Sequence, residues 1–174
     1  VNFVRGSVAM PMPLSPRIGL NMTVIAAGEV LILVNAVRLD DAGLAALDAL
    51  GKVTDVIRIA GNHGMDDPFY RDRHGAKVWA VRGQRYAAGF GTGPDVYFEP
   101  DVAITEETQL PIAGARLHVI RGEPPEALLV LERHGGTLVS GDCLQHWDEV
   151  DEHASFLGGM LLRLGGFIRP YAVG

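Results

Sequence analysis

Two stretches of this chain end in the same way, and together they restrict the folds open to it. Residues 53–60, Val-Thr-Asp-Val-Ile-Arg-Ile-Ala, break at Gly61-Asn62 into His63-Gly-Met65-Asp66-Asp67-Pro68. Residues 137–140, Thr-Leu-Val-Ser, break at Gly141 into Asp142-Cys143. Each run reads as a buried strand that stops in glycine and acidic residues. Donor side chains gathered at the ends of neighbouring strands are one way to assemble a metal site. In an extended segment alternate residues point the same way, so positions 63, 65 and 67 converge. His63 and Asp67 offer the nitrogen and oxygen donors of a hydrolytic metal site, whose open positions take water. Met65 does not, because a thioether suits copper(I).

The elements around these stretches follow from local chemistry. Residues 1–8 read as an edge strand. The prolines of 10–16 remove donors and fix φ, which makes that segment an extended loop. The apolar runs 22–26 and 29–35 flank Ala27-Gly28 as a hairpin. Asp40-Asp41 opens a helix through Leu50, with Leu44, Leu47 and Leu50 on one face and Gly51 closing it. The strand over 53–60 follows. Asp67 or Asp66 then caps a short helix with Pro68 at its first position, running to about His74 and ended by Gly75. Residues 77–82 form the next strand, and 83–100 are the least regular region. Strands are expected over 102–105, 116–121, 127–132 and 137–140, with His134-Gly-Gly136 turning between the last two. A helix is expected from Asp151. This order favours mixed sheets covered by helices.

The second stretch completes a resemblance. The chain is similar to the metallo-β-lactamase superfamily, in which a strand ends in His-x-His-x-Asp-His and a later strand ends in Gly-Asp. Here the first motif keeps His63 and Asp67, with Met65 and Pro68 in place of the second and third His. The later motif survives as Ser140-Gly141-Asp142. The family's Gly-His-Thr-Pro-Gly-Ser reads Gly122-Glu123-Pro124-Pro125-Glu126-Ala127, so Glu123 stands where a metal-binding His would be. The resemblance covers most of residues 20–145 and points to a branch with degenerate metal-binding motifs. It implies an α+β fold, the αββα sandwich of two mixed sheets with outer helices. It also implies one divalent metal ion, zinc, manganese or iron, held by His63, Asp67, Asp142 and Glu123. That donor set is richer in oxygen than zinc normally takes. Asp67 would also be the catalytic proton acceptor. The family's last His has no equivalent up to Gly174, so the single domain of 1–174 either lacks that ligand or is cut short at its C-terminus.

The remaining composition narrows the classes. A length of 174 residues suits one domain with a substantial core. A net charge of −6 and a pI of about 5.4 lack the basic excess of a nucleic-acid binder. The apolar stretch 156–168 is broken by Arg163 and glycines and is too short to span a bilayer. A single cysteine, Cys143, excludes an internal disulfide, and a cytoplasmic setting is the plain reading. The expected partner is a small molecule. The glycines of 156–168 offer close packing for a homo-oligomer or, preferably, against the domain's own core.

Each candidate also has a structural role open to it. His63 can hydrogen-bond loop backbone, Asp67 can be a helix cap, Asp142 can cap a turn, and Glu123 can be a solvated loop acid. Were 142–146 helical, His146 would share a face with Asp142. His118 points opposite to Leu117 and Val119 on its strand, and His74, His134 and His153 fall at turns or helix ends facing water. Cys143 suits a small buried apolar residue. Arg71, Arg73, Lys77, Arg82 and Arg85 form a local basic excess best read as a solvated face. Two functions follow. One is a hydrolase with an incomplete ligand set. The alternative is a binding or scaffold protein that kept the fold and lost the metal centre.

Overall fold

A long hairpin opens the chain in the computed structural model, which describes residues 1–10, 12–89, 91–133 and 135–173, from Arg169 onward by backbone alone. His134, expected in a turn, lies outside the described residues. β1 (Asn2–Ala9) pairs antiparallel with β2 (Arg17–Ala27), from Asn2↔Val24 to Ala9↔Arg17. The second strand starts well before residue 22, because residues 17–21 carry no continuous apolar run and become strand only by pairing with β1. β3 (Val30–Val34) returns antiparallel to β2 after a turn at Gly28, whose φ is +69°.

α1 (Asp41–Leu50) is capped by Asp40, whose carboxylate accepts from the Gly43 amide at 2.7 Å. Leu44 and Leu47 are buried, but Leu50 is 59% exposed. Steps of three residues fall short of the 3.6-residue turn, so two such steps rotate Leu50 off the face of Leu44. Replacing Asp40 with alanine leaves the Gly43 amide without this partner and is expected to cost about 1 kcal/mol, read as a lower urea midpoint.

β4 (Lys52–Arg58), β5 (Lys77–Val81) and β8 (Val102–Ile104) extend the sheet in parallel from β3. Between β4 and β5 runs α2 (Asp67–His74), closed by Gly75 in the left-handed region. The irregular region 83–100 holds a small ribbon, β6 (Tyr86–Ala87) with β7 (Val96–Phe98). The resulting six-stranded sheet has the order β1-β2-β3-β4-β5-β8.

β9 (Ala115–Ile120), β10 (Glu126–Leu131) and β11 (Thr137–Val139) make a second sheet of order β11-β10-β9. The larger sheet is mixed as expected. The smaller is antiparallel throughout, because short turns join its strands. β12 (Leu144–Trp147) pairs with β13 (Arg169–Val173), and α3 (Phe156–Leu164) lies between them in sequence. Residues 144–147 are therefore strand, and no helical face joins His146 to Asp142. The last helix starts after Ser155, not at Asp151, because the Ser155 hydroxyl accepts from Gly158 N. Asp151 instead accepts from His153 N within a turn. A Cβ at Gly158 would strike the Arg17 carbonyl, so the glycines bring α3 against β2 of the same chain.

Both faces of the central strands β3 and β5 are covered, which explains why they read as nearly unbroken apolar runs. Along β3 the side chains alternate. Leu31 and Leu33 join Val56, Val78, Leu44, Leu47 and Tyr70 on the helix side. Ile32 and Val34 join Ile57, Trp79, Leu117, Leu129 and Leu131 between the two sheets. No helix among the described residues is long and apolar enough to cross a membrane.

Candidate functional site

The rim is built where β3, β4 and β10 meet. Beyond β3, Asn35 turns with φ +53° and its side-chain oxygen accepts from Ile59 N and Ala60 N, both at 3.0 Å. Beyond β4 the loop folds over Arg58, which is nearly fully buried on the same face as Val56. Its guanidinium donates to the carbonyls of Ala60 at 3.2 Å, Arg85 at 3.0 Å and Gly61. It also lies over the Tyr86 ring, 4.6 Å from the centroid. Gly64 is needed here: its φ is +93°, and a Cβ would stand 2.5 Å from Arg58 Cδ.

Two of the expected residues come together. His63 Nε2 lies 3.7 Å from Asp142 Oδ1, with the imidazole buried and the carboxylate partly so. Burial acts to raise the Asp142 pKa, but His63 and Asn62 outweigh it and hold the carboxyl below its ordinary range. The pair lies on the wall of a cleft of about 970 Å³ between the β1–β2 hairpin and β11–β12. His63 also borders a cavity of about 200 Å³ with Arg58, Met65, Arg85 and Tyr97.

Asp67 sits behind the pair. It is fully buried and lines neither cavity. Its Oδ2 accepts from the Tyr86 hydroxyl at 2.6 Å. Burial pushes its pKa up to about 6, against the lowering by Tyr86, Arg58 and His63. Burial and the neighbouring Asp67 raise the Tyr86 pKa in turn. Asp66 precedes α2 without capping it, and its carboxylate accepts from Arg38 N. Glu123 stands exposed on the β9–β10 loop, before a cis bond to Pro124.

The other candidates take structural places. His74 is largely covered, its ring stacked on Tyr70 at 5.9 Å, rather than facing water. Arg71 pairs with Asp101, Arg73 with Asp48, and Arg85 donates to the Pro94 carbonyl. Cys143 is half-buried, its thiol pKa raised by burial and by Glu126. Arg58, Tyr86, Gln84 and Glu126 carry the rim but were not singled out in the sequence. The one available signal was a charge inside an apolar run: Arg58 between Ile57 and Ile59, and Glu126 heading Ala-Leu-Leu-Val-Leu.

His63 Nδ1, Asp67 Oδ1 and Asp142 Oδ2 are buried with no hydrogen-bond partner. Unpaired buried polar atoms cost about 1–3 kcal/mol each, but Asp67 Oδ1 is sealed from both cavities, and the atoms that face each other are His63 Nε2 and Asp142 Oδ1. The His63–Asp142 separation is too long for a hydrogen bond. It is close to the ~3.4 Å between two donors that share one ion at a tetrahedral angle. Among the described residues, however, no group of three His, Cys, Asp or Glu side chains is arranged to hold a metal ion. Two facing donors, His63 and Asp142, are fewer than a closed zinc site uses and would leave the other positions of any ion to water.

No protein-family model and no curated protein matches the chain. Its structure is similar to that of BLEG-1, a B3 metallo-β-lactamase, with a TM-score of 0.57 and 16% identity over 95% of this chain and 85% of that one. It is also similar to a metallo-β-lactamase of Cronobacter sakazakii with a HARLDQ motif. There the TM-score is 0.50 and the identity 17%, over 80% of this chain and 62% of that one. Identity this low speaks for architecture alone, and the architecture of this chain is the metallo-β-lactamase fold.

Proposed function

We propose that this protein is a hydrolase-type enzyme acting on a small molecule in the cleft beside His63 and Asp142, the two residues that would hold one divalent ion. The observation that carries this reading is the 3.7 Å approach of His63 Nε2 to Asp142 Oδ1 on the wall of the cleft. When bound, such an ion supplies Lewis acidity to the cleft. The chain's own residues do the rest. Asp142 presents an ionised carboxylate at neutral pH, because its pKa is held low. His63 supplies a nitrogen donor on a loop fixed from below by Arg58. Asp67, fully buried on Tyr86, balances the Arg58 charge and takes no part at the cleft surface. Exposed Glu123 stays outside the proposed pair.

The test is calorimetric titration of the purified, chelator-treated protein with Mn²⁺ and with Zn²⁺. One site is expected, with Mn²⁺ preferred. An ion at a hundred times its Kd should stabilise the fold by about 2.7 kcal/mol, read as a higher melting temperature. Asp142→Asn should abolish both signals. Failure of the wild-type protein to take up either ion would overturn the reading and leave a binding protein that kept the fold.

A further inference from the structure

We infer that Glu126 is the positioning residue of this rim, one carboxylate that clamps the His63 loop to the Asp142 loop. Its two oxygens are used separately. Oε1 accepts from Gly61 N at 3.0 Å, two residues before His63. Oε2 accepts from Cys143 N at 2.8 Å, immediately after Asp142. The side chain is buried, so the Gly61 bond is shielded from bulk water and the Cys143 bond partly so. Hydrogen bonds to an ionised acceptor are about twice as strong as neutral ones.

Neighbouring contacts fix the clamp in place. Ala127 N donates to the Ile59 carbonyl at 3.0 Å, tying the start of β10 to the end of β4. Gln84 donates to the carbonyls of Ile59 at 3.3 Å and Pro125 at 3.0 Å, the first a member of that junction and the second the residue before Glu126. Gly141 closes the gap from the other side. A Cβ there would stand 2.5 Å from Ala60 Cβ and 3.1 Å from Glu126 Oε2. The loops touch because one has no side chain at the point of contact and one carboxylate spans both. The separation of His63 and Asp142 is thus set by a residue that acts through the backbone beside each of them.

This inference rests on the proposed reading only for its consequence in ion binding, so its test has a metal-free arm. In Glu126→Gln one oxygen becomes an NH₂ group, which faces an amide donor instead of accepting from it. In the metal-free protein the amide signals of Gly61 and Cys143 and the ring signals of His63 should all move in NMR spectra. In Ile32→Val, a mild loss in the inter-sheet core, they should stay. Mn²⁺ affinity should fall about 10–100-fold in Glu126→Gln and hold in Ile32→Val. Unmoved His63 ring signals in Glu126→Gln would overturn the clamp. If that variant does not fold, hydrogen exchange in the wild-type protein decides. A carboxylate holding both amides requires Gly61 and Cys143 both to be protected from exchange, and rapid exchange of either overturns the inference. Absence of Mn²⁺ uptake by the wild-type protein would count against the metal reading, while the metal-free signals would still judge the clamp.

Discussion

Replacing Arg58 with methionine is expected to remove about 3–5 kcal/mol of folding stability, a large part of what a domain of this size holds. Methionine can fill the space of the stem but offers none of the donors. The carbonyls of Ala60, Gly61 and Arg85 would lose the guanidinium that now meets them. The cation above the Tyr86 ring would go as well. Asp67 would keep its Tyr86 bond but lose the buried positive charge that lowers its pKa. Removing one member of a buried charged set costs more than the set is worth, because the other charge stays behind. Asp67 can limit that cost by taking up a proton. The loss should therefore be larger at pH 7.5 than at pH 5, and Arg58→Met with Asp67→Asn should be milder than the sum of the two single changes. Arg58→Lys should not restore the wild-type value, since an ammonium cannot reach three divergent carbonyls as a planar fork does. Urea denaturation of the four variants at both pH values measures this. Equal losses for Arg58→Met at the two pH values would separate Arg58 from Asp67.

The second large effect is the pH dependence that Asp67 imposes. Its pKa in the folded chain is about 6, against an ordinary value of 3.8. Between those values the folded chain binds more protons at this group than the unfolded chain does. Stability from this group is therefore greatest below pH 4 and falls as pH rises through 6, after which the loss is complete. The whole excursion amounts to about 3 kcal/mol. Asp142 acts in the opposite sense. Its lowered pKa gives stability that is present above its ordinary range and lost as pH falls. Subtracting the urea profile of Asp67→Asn from that of the wild-type protein, both with chelator, isolates the first effect. A difference profile that is flat between pH 4 and 6, or that rises, would show that Asp67 is not held in an apolar setting.

The two predictions bear on how the rim is built. The Arg58–Asp67–Tyr86 set lies beneath the loop, and the His63–Asp142 pair lies above it at the cleft. The lower set is saturated with partners except at Asp67 Oδ1. The upper pair keeps His63 Nδ1 and Asp142 Oδ2 unpartnered. Hydrogen-bond partners are concentrated below, and the wall of the cleft lies above. Substitutions at Arg58 should therefore act first on folding, and substitutions at Asp142 first on ligand uptake.

Much of this was legible locally. The hairpin at Gly28, the Asp40 cap, the Gly75 stop and the strands ending before His63 and before Asp142 each follow from residues within a few positions of one another. The meeting of His63 with Asp142 could be expected because both leave strands of a resembling pattern. Strand β12 could not, since Leu144-Gln-His-Trp is too short to carry a period and exists by pairing with β13. Asp67 read as a ligand because alternation from His63 holds only in an extended segment. In the folded chain it is already the first residue of α2, turned inward to Tyr86.

What the sequence determined by itself was where strands and helices begin and stop, because turn geometry, caps and apolar periodicity act over a few bonds. Only the tertiary structure decided that Arg58 is an interior cation, that Asp67 is sealed off from the cleft and that Glu126 bridges two loops. Those roles depend on which distant strands lie side by side and on how far water is excluded between them. A charge buried within a run of isoleucine or leucine looks the same in sequence whether it meets three carbonyls, two amides or open solvent.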